Sequence, residues 1–535
     1  MCQDTQENKA ALSRRAFLAA TGGVFIGAAA FGLTAGQVNA GQRHPTRGGT
    51  LRFATRSDVS GLDLHRNTIY LVSMPLAAMN QGLLDLDVKS EPVPGVAAAW
   101  EAAPDLRSYT FQLRKGVLFH NGREVDAEAV KWNFERMQDP KIATPLTRSA
   151  LENLQETAVV DKYTVRCHLH TPSAAFPADV VYYPCALMAP DSVDKADLHP
   201  IGCGPFKFVK WDRNNITELA RFENYFETDA EGNSLPYLEA LIGRPKREDR
   251  VRLTSLRAGE VDLIDSMAYD DAVDFATKSA GKFQSWEVPT LSTSFILFNL
   301  DKGPFTDKQV RQAAAHAIDH EAIKQAVFHG RGEVAGGFYA PASPWYAHGV
   351  EAWPAYDPDK AKFLLRQARA VGTEVALQAL PTPPYMQQTA ELVQAMWTEV
   401  GFKVRFNIYD EVALNQKRRE RDFHADSTAA SYRWDPDGWF SRQILSTAPA
   451  TKANSGFHNE RADQLTVAAR GTADRQKRLE LYAAIDSIVN AELPLLYLHH
   501  LTLLEAGSMR LKGYQPSVSG AFSIRGGGIR TAWME

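Results

Sequence analysis

Cysteine is scarce: the 535 residues contain four, Cys2, Cys167, Cys185 and Cys203. That excludes an extensive disulfide framework. No sign of charge dominates, since 59 Lys and Arg face 63 Asp and Glu for a net −4. The basic footprint of a nucleic-acid binder or a polybasic membrane binder is therefore absent. Beyond Gly41 no stretch of about 18 apolar residues occurs, so nothing there reads as a bilayer-crossing helix. There is no G-x-S-x-G elbow, no H-E-x-x-H and no P-loop, and the commonest hydrolase, metalloprotease and NTPase readings lose their support. Internal repeats and low-complexity linkers are missing as well. What remains is a chain of ordinary globular composition, 44% hydrophobic and 23% charged, too long for one hydrophobic core and so expected to form two or three domains.

The first forty residues read as a leader. Arg14-Arg15-Ala16-Phe17-Leu18 introduces a charge-free apolar run from Ala16 to Ala35, and Val38-Asn39-Ala40 offers small residues for signal peptidase. The paired arginines resemble a twin-arginine signal, which exports folded proteins. A membrane anchor is the competing reading. Gly22, Gly23, Gly27, Gly32 and Gly36 weaken the run's hydrophobicity, and a cleavage site follows it. Cleavage after Ala40 removes Lys9, Arg14 and Arg15 against Asp4 and Glu7, moving the net charge from −4 to −5. It also removes Cys2, which leaves an odd number of cysteines: one disulfide and one thiol, or three buried thiols. The expected location is the periplasm.

Helices and short strands alternate along the remainder. Tyr109, Phe111 and Leu113 alternate as in a half-buried strand, and so do Val165, Cys167 and Leu169. Asp126 is placed to cap a helix carrying Val130, Phe134 and Met137 on one face. Thr306 and Gln309 form a capping-box pattern at the head of one long alanine-rich helix, "TDKQVRQAAAHAIDHEAIKQAVF". Asp357-Pro358 opens another helix, and "AELVQAMWTEVG" stops at Gly401 before the strand "KVRFNI". A late helix runs from about Leu479 to Val489. The class is α/β or α+β with more than one domain.

Several long segments together resemble one family. "GGTLRFATRSDVSGLDLH", "PGVAAAWEAAPDLRSYTFQLRKGVLFHNGREVDAEAVKWNFERM", "PIGCGPFKFVKW", "FILFNLDKGPFTDKQVRQAAAHAIDHEAI", "YAPASPWY", "YDPDKAKFLL" and "NAELPLLYLHH" are similar, in this order, to extracellular solute-binding proteins of the peptide/nickel class (family 5), which serve ABC importers. Cys203 stands where that family's G-T-G-P-Y turn carries threonine. The resemblance implies an α/β, two-lobed periplasmic-binding-protein clamshell of type II with an additional third domain. It places lobe I at 47–88, 200–290 and 499–535, the extra domain at 89–199 and lobe II at 291–498. It implies a monomer that binds a small-molecule ligand between its lobes and passes it to an ABC permease with its ATPase subunits. No catalysis, no cofactor, no metal and no nucleic acid enter this reading.

The ligand expectation rests on "SYRWDPDGWF", residues 431–440. Peptide-binding members carry an aspartate four residues before the proline of an A-D-Y-x-D-P segment, where it pairs with the peptide's amino group. Four residues before Pro436 stands Tyr432, followed by Arg433, Trp434 and Asp435. A buried ammonium without a carboxylate partner is costly, so a non-peptide ligand is expected. Arg433 is suited to fork onto a carboxylate, while Trp434 and Trp439 are suited to stack on flat or apolar surfaces. The ligand would be carboxylated, polyhydroxylated or a chelated metal. For both tryptophans a core role stands equally open, and Arg433 could instead pair with Asp435 or Asp437. Tyr385 in "PTPPYMQ", Ser292 and Thr293 before "FILFNL", and Tyr70 complete the candidate list.

Other signals read as structure. In "CHLH" Cys167 faces one side of a strand and His168 and His170 the other. His499-His500 reads as a strand end. The alternatives carried forward are oligopeptide binding, nickel-type metal-chelate binding, presentation of the ligand to a chemoreceptor, and a secreted hydrolase on the same clamshell.

Overall fold

The computed structural model describes residues 44–66, 74–279, 281–347, 350, 354–430, 434–518 and 528–535. Elements legible from local pattern form where local chemistry places them. In the strand Ser108–Leu113, Tyr109, Phe111 and Leu113 turn inward while Gln112 stays exposed. Val165, Cys167 and Leu169 do the same in Thr164–Leu169. Helix Ala127–Gln138 begins where the Asp126 carboxylate accepts the N–H of Ala129 at 2.8 Å. It lays Val130, Phe134 and Met137 against that sheet. Asp357 caps Pro358–Gln367, and Gly401, at φ 117, ends Pro384–Val400 in a conformation that favours glycine. The late helix is longer than expected, Arg475–Glu492, with Asp474 as its cap.

The alanine-rich segment is not one helix. Asp307, rather than Thr306, is the cap: its side chain accepts the Gln309 N–H at 2.8 Å. Thr306 lies in a short 3-10 turn. Lys308–His316 then ends, and Asp319 starts a second helix, His320–Phe328, by accepting the Ala322 N–H at 2.9 Å. The aspartate offers the backbone N–H a local partner outside the helix, and this interrupts a pattern that periodicity alone would run through.

One large sheet organises the chain. Its strands follow the order Lys403–Ile408, Glu374–Ala379, Ala425–Ala429, Phe283–Phe298, Leu495–Ser508, Leu263–Ile264, Thr50–Thr55, Ala240–Pro245, Ile216–Arg221 and Phe206–Asp212, with Glu333–Val334 also on Leu495–Ser508. Parallel pairs lie towards both ends: Glu374–Ala379 between its two neighbours, and Thr50–Thr55 between its two. Two long antiparallel strands, Phe283–Phe298 and Leu495–Ser508, connect them. A separate four-stranded antiparallel sheet, Ala97–Ala102, Ser108–Leu113, Thr164–Leu169 and Leu154–Asp161, carries the capped helix on one face. His499 and His500 fall inside the long strand rather than at its end. Buried there, they are held well below the usual histidine range, at about 4 and about 3.

The glycines of "PIGCGPF" answer to a close backbone approach. A Cβ at Gly202 would lie 2.0 Å from the carbonyl oxygen of Met79, and one at Gly204 2.5 Å from that of Ala78. Cys203 between them is fully buried. Cys167, Cys185 and Cys203 are three buried thiols, and no disulfide forms among them. No helix of the described residues is long and apolar enough to cross a membrane.

Candidate functional site

The site begins with a break in the two long strands. Pro289 pairs with Thr502 and Thr293 with His500, so residues 290–292 face Leu501 alone. Such a bulge re-aims side chains. It is held by Thr290, whose Oγ1 donates to Leu501 O (2.8 Å) and accepts the Ser292 N–H (3.2 Å). The Leu291 N–H reaches Val518 O at 3.4 Å. The Leu291 side chain thereby leaves the sheet's own core and joins the apolar cluster of the four-stranded sheet, together with Trp434 and with the partly buried Tyr182 and Val518. Trp434 is 8% exposed and lies 6.0 Å, ring centre to ring centre, from Tyr182. Tyr182 in turn lies edge-on to Tyr183 at 5.2 Å. Aromatics from distant segments thus meet where the bulge opens, an arrangement suited to gripping a flat or apolar ligand surface.

Charged groups border this aromatic seam. Arg478 forks onto Asp435, with Nη1 2.9 Å from Oδ2 and Nη2 2.5 Å from Oδ1. Arg470 donates from Nε to both Asp437 oxygens at 3.1 Å, and the Ser441 hydroxyl donates to Oδ1 as well. Across the seam, the Ala174 N–H binds Arg470 O at 2.8 Å, and Arg475 pairs with Glu91 at 2.6 Å. Asp179 sits on the short helix Phe176–Val180, one turn before Tyr182. Burial pushes its carboxyl well above the usual carboxylate range, and the nearby carboxylates of Asp437 and Asp435 push it the same way.

The other candidate residues separate clearly. Trp439 is a core residue: it stacks on Phe338 (4.0 Å, 9°), meets Phe295 edge-on, and donates from Nε1 to Tyr497 Oη at 3.2 Å. Thr293 is fully buried, with Oγ1 2.7 Å from Phe338 O and 2.9 Å from His500 Nδ1. Ser292, on the bulge, is adjacent to the seam. Tyr385 lies in the first turn of Pro384–Val400, packed against Phe328 at 5.8 Å. Asp435 and Asp437 take their arginines from helices 475–492 and 460–470, not from Arg433. Tyr70, Tyr432 and Arg433 lie outside the described residues. A 620 Å³ cavity opens elsewhere, bordered by Asp63, Arg66, Trp132 and Arg136. There Arg136 and Asp63 are already locked together at 2.6 and 3.0 Å, so the seam is the better-equipped place.

Tyr182 and Tyr183 do not stand out in the sequence because segment 89–199 reads as remote from a cleft between two lobes, and Leu291, next to the candidate Ser292, reads as an ordinary strand residue. The run Tyr182-Tyr183-Pro184 was the available signal, since paired tyrosines before a proline are costly on a plain surface.

Comparison with known proteins agrees with this architecture. The model of the bacterial extracellular solute-binding proteins, family 5 middle region, matches residues 91–452. The dipeptide-binding protein of Escherichia coli (strain K12) is 28% identical over 458 residues, covering 79% of this chain and 84% of that one. Heme-binding protein A of Haemophilus influenzae is 29% identical over 463 residues, covering 80% and 82%. The solved structure "of the PBP AgaA in complex with agropinic acid from A.tumefacien R10" superposes with a TM-score of 0.76 at 26% identity, covering 91% of this chain and 99% of that one. The fold is thus the type II periplasmic-binding-protein clamshell. The chain belongs to the bacterial extracellular solute-binding proteins of family 5.

Proposed function

We propose that this protein is the exported binding component of an ABC importer, and that it captures a small non-peptide ligand carrying a carboxylate or several hydroxyls. The observation that carries the ligand class is Tyr432 at the position where peptide binders hold an aspartate. The pairing around it supports the reading. The two acids of the same segment, Asp435 and Asp437, are each bound to an arginine, so neither is free to replace the missing anchor. Three relatives named for a dipeptide, heme and agropinic acid indicate that this fold does not by itself dictate the ligand.

In this reading Trp434, Tyr432, Arg433 and Ser292 contact the ligand, with Tyr70 and Tyr385 at its edge. Lobe I is 47–88, 200–290 and 499–535, the extra domain 89–199 and lobe II 291–498. Residues 1–40 are a twin-arginine leader, and the mature protein is a monomer in the periplasm. Binding comes without chemistry: ligand contacts shift an open–closed equilibrium that the permease reads.

Native mass spectrometry of the protein taken from periplasm, followed by denaturation and identification of the released compound, tests the proposal. A carboxylated or hydroxylated small molecule is the expected result. Recovery of a peptide, or tight calorimetric binding of ordinary di- and tripeptides, would overturn the ligand class. Turnover of a bound compound would overturn the function.

A further inference from the structure

Two distant parts of the chain meet across the seam at loop 470–475. Helix Glu460–Arg470 ends at Gly471, and helix Arg475–Glu492 begins after its cap Asp474. The Arg470 carbonyl is among the last four of its helix and so has no partner within it. The Ala174 N–H supplies one from the facing segment, at 2.8 Å. At the loop's other end Arg475 pairs with Glu91 at 2.6 Å. The backbones run close here: a Cβ at Gly471 would lie 4.0 Å from Cβ of Pro172.

Both partners of the ion pair are held by their own surroundings. Arg475 Nη2 also donates to Pro344 O at 2.9 Å, and its guanidinium lies 4.6 Å from the centre of the Trp345 ring. Glu91 closes a tight turn: its N–H donates to the Asp87 carboxylate at 2.8 Å, and its carbonyl accepts the Asp87 N–H at 2.9 Å. Beside Ala174, the Ser173 N–H donates to Leu106 O and the Ser173 carbonyl accepts from the Tyr109 hydroxyl. A partly exposed ion pair ordinarily loses much of its Coulomb gain to ordering two long side chains. Here the arginine is ordered on its own side, so more of that gain goes into joining the two segments.

The loop is also tied to the aromatic seam. Arg470, at its start, holds Asp437, and Arg478, one turn on from Arg475, holds Asp435, the neighbour of Trp434. Movement of the loop therefore carries the segment bearing Trp434 with it.

We propose that loop 470–475 is a closure latch. Its bonds to Glu91 and Ala174 hold segment 434–437 shut against the facing side, and Arg475 and Glu91 are positioning residues that set ligand retention without touching the ligand. This rests on the solute-binding reading above, in which lobe II closes against the extra domain.

The test adds Pro172→Cys and Gly471→Cys, whose Cβ separation a disulfide spans. Gly471, at φ −86, accepts a side chain without strain. The mature protein from periplasm is unfolded, dialysed free of any copurified compound and refolded. Bridging by diamide is then followed with Ellman's reagent in denaturant, where the two added thiols disappear and the three native ones remain. Bridging is the expected result. Glu91→Arg in this background should slow it by about two- to five-fold, the worth of one partly exposed ion pair. The charge exchange, Glu91→Arg with Arg475→Glu, should recover rate that each single variant loses. A merely structural pair would instead lower the melting temperature and leave the bridging rate unchanged. In protein that has not been unfolded, native mass spectrometry should show lower occupancy of a copurified compound in Glu91→Arg, and the bridged protein should keep that compound through dialysis until reduced. If no compound copurifies, the bridging rates alone decide.

No bridge, a rate indifferent to Glu91→Arg, or an exchange as slow as the single variants would each overturn the latch and leave the solute-binding reading intact. The expected bridging behaviour around a recovered peptide, or around a compound that is turned over, would support the latch and overturn that reading instead.

Discussion

Arg478 holds Asp435 with both arms of its guanidinium, at 2.5 and 2.9 Å, and both side chains are more than nine-tenths buried. The Trp345 ring covers the same guanidinium at 4.7 Å, and the Tyr482 hydroxyl accepts from it at 3.2 Å. Asp435→Asn leaves a buried cation without its counter-charge, a loss of about 3–5 kcal/mol. Urea denaturation should show it directly. A ligand-only role for Asp435 predicts unchanged stability and lost binding instead.

The two tryptophans of "SYRWDPDGWF" should respond in opposite ways. Trp439→Ala removes the stack on Phe338 and the hydrogen bond to Tyr497, costing roughly 3–5 kcal/mol in the melt. The folded fraction should bind ligand normally. Trp434→Ala should cost less stability and most of the ligand retention seen by native mass spectrometry. Equal behaviour of the two variants would contradict the division into core and seam.

Asp486 supplies a pH dependence. Burial raises its carboxyl to about 7, against the Phe338 N–H and the Tyr497 O–H that donate to it. An acid raised in the folded state contributes its stability fully below its unfolded value of about 3.9 and loses it as the pH climbs through about 7. Asp486→Asn should therefore melt progressively higher relative to wild type between pH 5 and pH 8. A difference in melting temperature that does not change with pH would remove Asp486 as the source.

The thiols give a chemical count. Burial holds Cys167 and Cys203 up at about 12, and Cys185 is buried beside them in the same core cluster. Ellman's reagent should find none of these three thiols in the native protein and all three in denaturant, with no effect of reductant on the melt. Two missing thiols in denaturant would mean a disulfide.

Local signals carried far along this chain. Asp126, Asp357 and Gly401 mark helix ends because each acts on backbone groups within three or four residues. The alternation at 109–113 and 165–169 was readable because one face of each strand is buried. The same reasoning failed at Asp319, where periodicity continued across a backbone that a side chain had already redirected.

The sequence by itself determined the family and the class of fold, because each is written in segments read one at a time. The tertiary structure alone decided which aromatic and which acid are available. Trp434 and Trp439 are five residues apart and chemically identical, yet one meets Tyr182 and the other Phe338. Asp435 and Asp437 are taken by arginines 43 and 33 residues away. Burial and pairing depend on what arrives from distant parts of the chain, and at these positions no local pattern encodes that arrival.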